Sequence, residues 1–98
     1  MTNRIQLPPA LVHNVVLRRF EMRVSNDLAY LSYTDGSGCV SFDHTHVPES
    51  LRGKGIAAAL VRGALKAARQ QHWKIDPRCS YVAAYIERNT EFSDLTGR

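Results

Sequence analysis

Ninety-eight residues allow one domain with a real core and leave no room for a second. With 44% apolar residues and charges of both signs the chain is ordinary globular material, and no apolar run approaches the ~18 residues of a membrane span. A formal net charge of +4 and a pI near 9.4 suit an anionic ligand, while the scatter of the arginines argues against nucleic-acid binding as the main role.

Met1 to Pro9 lacks the apolar core of a signal peptide, so the expected compartment is the cytoplasm, with no membrane partner. Cys39 and Cys79 lie forty positions apart and match no zinc spacing. Both are expected as free thiols, with no metal site.

Residues 1–12, with the Pro8-Pro9 pair, are expected to form a flexible lead-in to a single domain over 13–98. Asn14 to Arg23 is rich in β-branched residues and alternates imperfectly, which predicts a first strand. Ser25-Asn26-Asp27 is turn chemistry, and Leu28 to Thr34 is the second strand. Asp35-Gly36-Ser37-Gly38 forms a hairpin connection, Cys39 to Val47 the third strand, and Pro48 its stop, which makes a three-stranded antiparallel meander. A long helix is predicted from about Gly53 to Gln71, with Ile56, Ala57, Leu60, Val61, Ala64, Leu65 and Ala68 on one face. Arg62, Lys66 and Arg69 line the other face, expected to be solvated. His72 to Asp76 has room for a brief strand, parallel to the third by the crossover rule. Cys79-Ser80 opens a second helix through Arg88, after which Phe92 and Leu95 pin the tail to the core.

The informative stretch is Val47-Pro48-Glu49-Ser50-Leu51-Arg52-Gly53-Lys54-Gly55-Ile56-Ala57, where strand gives way to helix. Glycines leave backbone N–H groups uncovered at a helix start, which is a site for phosphate or pyrophosphate. A P-loop is excluded, because the Gly-x-x-x-x spacing before Gly53-Lys54 is missing and no Ser or Thr follows the lysine. Gly53-x-Gly55-x-x-Ala58, with Asp76 about twenty residues on, half fits a dinucleotide fingerprint. However, Pro48 to Arg52 separate it from its strand, and the upstream strands are joined by hairpins. A third possibility is a loop whose glycines only make the turn.

Arg52-Gly53-Lys54-Gly55-Ile56-Ala57 resembles the Q/R-x-x-G-x-G/A pyrophosphate loop of the GNAT acetyltransferase superfamily. The order of strands, loop, long helix, short strand and second helix is similar as well. His44-Thr45-His46-Val47-Pro48, Pro77-Arg78-Cys79-Ser80-Tyr81-Val82 and Ala84-Tyr85-Ile86-Glu87-Arg88-Asn89 resemble the small stand-alone GNAT-like proteins of about one hundred residues. Together these segments span about residues 14 to 95.

The resemblance implies an α/β (α+β) minimal GNAT fold: a mostly antiparallel sheet, splayed between its third and fourth strands, with a long helix and a shorter C-terminal one. It implies an N-acetyltransferase that uses acetyl-CoA and an amine acceptor of unknown identity, as a monomer or homodimer. His44, Thr45, His46 and Val47 would offer backbone to the acetyl and pantetheine groups. Arg52, Gly53, Lys54, Gly55, Ile56 and Ala57 would wrap the pyrophosphate. The small relatives lack the early helices that shape an acceptor pocket, so the acceptor side should be open. The alternative is a CoA-binding or protein-interaction module without catalysis.

Cys79, at a helix start beside Arg78, suits a reactive thiol, and the small family carries a cysteine there that resembles an acetyl-accepting nucleophile. Its bland counterpart is a small core residue. His46, or His44 on the same side of the strand, is a candidate general base. Tyr81 and Tyr85 share a helical face; a tyrosine in this helix protonates the departing thiolate in larger relatives, and Tyr85 is the preferred candidate.

Overall fold

The computed structural model describes residues 11–97. Five strands form one sheet in chain order: β1 (Leu11–Asn14), β2 (Arg19–Val24), β3 (Asp27–Asp35), β4 (Val40–His46) and β5 (Ile75–Pro77). The first four pair antiparallel, and β5 joins β4 in parallel. Between them runs α1 (Ile56–Gln70), and after β5 comes α2 (Ser80–Arg88). Two 3₁₀ segments, Glu49–Leu51 and Thr90–Thr96, complete the described chain.

The single strand expected over Asn14 to Arg23 is a hairpin instead. The Asn14 side chain accepts the Leu17 N–H at 3.0 Å, Arg18 N–H donates to the Val15 carbonyl, and Arg18 takes a left-handed φ of 54°. Asparagine's ability to cap a turn outweighs the β-branched content of Val15 and Val16, which are left exposed. The meander therefore has four strands. Of the lead-in expected over 1–12, positions 1–10 lie outside the described residues, and Leu11 and Val12 belong to β1.

The long helix starts at Ile56 rather than Gly53, because Gly53 and Gly55 both hold left-handed φ, 78° and 75°. At its far end His72 turns left-handed (φ 62°), and Trp73 N–H returns to the Ala68 carbonyl. His72 and Trp73 are spent on ending α1, so β5 begins only at Ile75.

Every strand buries one face. Phe20, Met22, Ala29, Leu31, Tyr33, Val40, Phe42 and Ile75 meet Leu60, Val61, Ala64, Leu65 and Ala68 of α1 and Val82 and Ile86 of α2 in one cluster. Phe20 and Phe42 are fully buried, each worth about 2–3 kcal/mol of transfer free energy. Both helices thus cover a single face of the sheet, and among the described residues no element covers the other. Phe92 and Leu95 are buried as expected. The basic stripe of α1 is not merely solvated: Arg69 grips Asp94 and the Glu91 carbonyl, and Arg62 pairs with Glu91, which clamps the tail.

His13 closes the core at one end, stacked on Phe20 with 4.3 Å between ring centroids and hydrogen-bonded to the Tyr33 hydroxyl at 2.7 Å. Its pKa lies below the ordinary 6.5, first because burial penalises the imidazolium, a push that Asp35 partly offsets. The unfolded chain then binds the proton more tightly, so the stability carried by the neutral ring is present above pH 6.5 and is lost as pH falls through the folded value. Melts between about pH 7.5 and about pH 5 should show Tm falling toward acid, and His13→Phe should flatten that slope. An unchanged slope in the variant would show that His13 contributes nothing to it.

Candidate functional site

β4 and β5 stay together for only three pairs, Val40–Ile75, Ser41–Asp76 and Phe42–Pro77. Pro77 has no N–H to continue the ladder, and the chain turns into α2. The last link is Cys79 N–H to the Phe42 carbonyl, 2.8 Å. Beyond it β4 runs on through His46 paired only with β3, so on its other side a V opens between the end of β4 and the start of α2. The splay that the resemblance implies opens here.

A register shift sharpens this apex. Ser32 faces His44 and Tyr33 faces Phe42, which makes Asp43 an extra residue in β4. The bulge keeps Asp43 and His44 on the bare face and turns Thr45 inward, opposite Leu31. There the Thr45 hydroxyl lies 3.4 Å from Cys79 Sγ. Cys79 is the N-cap of α2 and is half-buried. Burial alone pushes its thiol up. Hydrogen bonds from the Thr45 hydroxyl and from the backbone N–H groups of Val82, Tyr81 and Thr45 outweigh that push and hold the pKa below the ordinary 9.0. The hydroxyl beside Sγ distinguishes this position from one surrounded only by apolar side chains.

On the open side of the V, the glycine turn lines a pocket of ≈ 210 Å³ with Val47, Leu51, Arg52, Gly53, Gly55, Ile56, Ala57, Ala58 and Tyr81. Gly55 is the N-cap of α1, with no side-chain cap and no acidic residue in the first turn. A Cβ built on Gly53 or Gly55 meets nothing within 4 Å, so the cradle is open to a ligand. Uncapped N–H groups, a helix dipole and free space fit a phosphate-bearing group. Arg52 is partly committed, its Nε donating to the Val47 carbonyl at 3.1 Å. Lys54 is exposed and does not line the pocket.

The other sequence candidates are placed elsewhere. His44 and His46 are exposed on the bare face, flanking Tyr30 at 6.3 and 5.3 Å between ring centroids, whereas Cys79 meets Thr45 on the inward side. Tyr85 is buried against Phe92, with its hydroxyl 3.5 Å from Arg62. Tyr81 is the tyrosine that lines the loop pocket, two residues past Cys79. Sequence reasoning missed the Thr45 hydroxyl, since a bulge leaves no mark in apolar alternation.

The family model for GCN5-related N-acetyltransferases matches residues 19–95. The protein NATD1 of Mus musculus is 33% identical over 85 residues, which cover 84% of this chain and 77% of that protein. NATD1 of Homo sapiens is likewise 33% identical, over 84% of this chain and 75% of its own. NATD1 of Danio rerio is 32% identical over 80 residues, 79% of this chain and 73% of its own.

Proposed function

The chain belongs to the GCN5-related N-acetyltransferase family, and from that premise we propose that it moves an acetyl group from acetyl-CoA to an amine through an acetyl-Cys79 intermediate. The observation that carries this reading is the activated thiol at the apex of the V. It lies beside the Thr45 hydroxyl at the start of α2, the helix whose Tyr81 lines the pocket at the bare α1 N-terminus, which suits a pyrophosphate.

When bound, acetyl-CoA supplies a reactive thioester. The N–H groups of Gly55, Ile56 and Ala57 would hold its phosphates, and the edge of β4 that β5 leaves unpaired beyond Phe42 would receive the pantetheine arm. Thr45 Oγ1 and the α2 N-terminus hold Cys79 as thiolate. Its Sγ would form a bond to the acetyl carbon as the bond to the CoA sulfur breaks, and Tyr81, the tyrosine that lines the loop pocket, would return a proton to that sulfur. The acceptor nitrogen, as free base, then forms the C–N bond. The C–Sγ bond breaks, the thiolate is restored, and the nitrogen's extra proton goes to solvent at the bare face. His44 and His46 have no part in the first step.

Incubation with acetyl-CoA and no acceptor, followed by peptide mass analysis, should place one acetyl group on the Cys79 peptide, discharged by hydroxylamine. Acetylation confined to lysines, or none while CoA binds, would remove the covalent route.

A further inference from the structure

Among the described residues, four of the five large apolar side chains that stand exposed are gathered at one corner. Val12 belongs to β1, and Val15, Val16 and Leu17 lie in the turn into β2; they are between 56% and 86% exposed. The fifth, Tyr81, lines the loop pocket. β1 is also an outer strand of the sheet: it pairs with β2 on one side, and no described strand lies on the other. Natural edge strands are blunted by charge, proline or a bulge, and Leu11-Val12-His13-Asn14 carries no Lys, Arg, Asp, Glu or Pro and no register shift. The opposite edge is guarded, since β5 is three residues long and ends on Pro77. We infer that this corner is an interface between two copies of the chain, with their β1 edges paired antiparallel about a two-fold axis.

Several features select a second copy as the occupant. A bare strand edge is its own complement, because two-fold antiparallel pairing sets N–H groups against carbonyls on both sides. The same direction sets the start of one β1 against the end of the other. Val12 of each copy therefore comes towards the Val15–Leu17 turn of its mate, which covers both ends of the apolar patch. The charges around the corner are already paired within the chain, Arg18 with Asp35 and Arg19 with Glu21. Two chains of net charge +4 can thus meet here without like charge facing like, whereas a surface for an anionic membrane would keep its cations unpaired. Four side chains and a four-residue strand make an interface smaller than the standard ~800 Å² per partner, so the pair is expected to be weak, with a dissociation constant on the order of ten micromolar. Because β4 and β5 lie at the other side of the sheet from β1, each Cys79 stands far from the seam, and acetyl transfer does not depend on pairing.

Sedimentation equilibrium of the full chain between about 1 µM and about 1 mM should show a monomer–dimer equilibrium. Val16→Glu/Leu17→Glu should raise the dissociation constant about tenfold or more, because the carboxylates would be pressed against apolar side chains of the other copy. Its Tm and acetyl-transfer rate should match wild type, since both side chains stand exposed in a turn away from Cys79. Added salt should leave the dimer as tight or tighter, the seam being apolar. In a mixture of ¹³C-labelled and unlabelled chains, contacts between copies are expected at the methyl groups of Val12, Val15 and Val16. A monomer at every concentration, a variant that pairs as tightly as wild type, or methyl contacts confined to the chain's own residues 1–10 would overturn the inference. Retention of wild type but not of the variant on vesicles of anionic phospholipid, with no dimer in solution, would overturn it in favour of a membrane surface.

Discussion

Gly53→Glu/Gly55→Glu is expected to lower the affinity for CoA by about two orders of magnitude or more, measured by calorimetry. Two effects add. Both positions hold left-handed φ, where a side chain costs about 1 kcal/mol each, so the turn is strained before any ligand arrives. Each carboxylate would then stand at the mouth of the α1 N-terminus, where the phosphates belong. Two like charges ~4 Å apart repel by about 4 kcal/mol at the effective dielectric of a protein surface, and solvent exposure here reduces that. Gly53→Ala/Gly55→Ala separates the two effects. It carries the strain without the charge, and open space around both Cβ positions removes any clash. The alanine pair should therefore lower Tm like the glutamate pair and keep most of the CoA affinity. Equal binding by the glutamate variant and wild type would mean that the loop holds no phosphate.

The loop was legible because its signal is local. Two glycines at one-residue spacing before an apolar 3.6-residue repeat state both the backbone conformation and the helix that follows. The opening of α2 at Cys79-Ser80 was local in the same way, whereas the splay was implied only by the resemblance. The features that decide the chemistry are relations between distant segments. Thr45 faces Cys79 across thirty-four positions only because of the extra residue Asp43. Tyr81 and Tyr85 share a face of α2, and what distinguishes them is Arg62, which donates to the Tyr85 hydroxyl from a distant segment. The β1–β2 hairpin was hidden for another reason: Val15, Val16 and Leu17 are apolar but exposed, so composition pointed to a strand where Asn14 makes a turn.

Cys79→Ala should lower acetyl transfer roughly 10³-fold or more, because removing a covalent nucleophile removes the path rather than one contact on it. The fold should survive, since the side chain is half-buried and alanine leaves the backbone bond from position 79 to the Phe42 carbonyl in place. CoA affinity should be nearly unchanged. Thr45→Val is the sharper probe, because it keeps the shape and deletes one hydrogen bond to sulfur. Of the causes that set the Cys79 pKa, burial opposes ionisation and the Thr45 hydroxyl heads those that favour it. Without that hydroxyl, the midpoint of Cys79 alkylation against pH must move up, and acetyl transfer near neutral pH must fall with the thiolate fraction and recover as pH rises. A structural cysteine would show the alkylation shift without the loss and recovery of acetyl transfer. If Cys79→Ala turns over a verified acceptor at the wild-type rate, the amine attacks the CoA thioester directly. The Thr45–Cys79 pair would then serve only to hold β4 and α2 together at the apex.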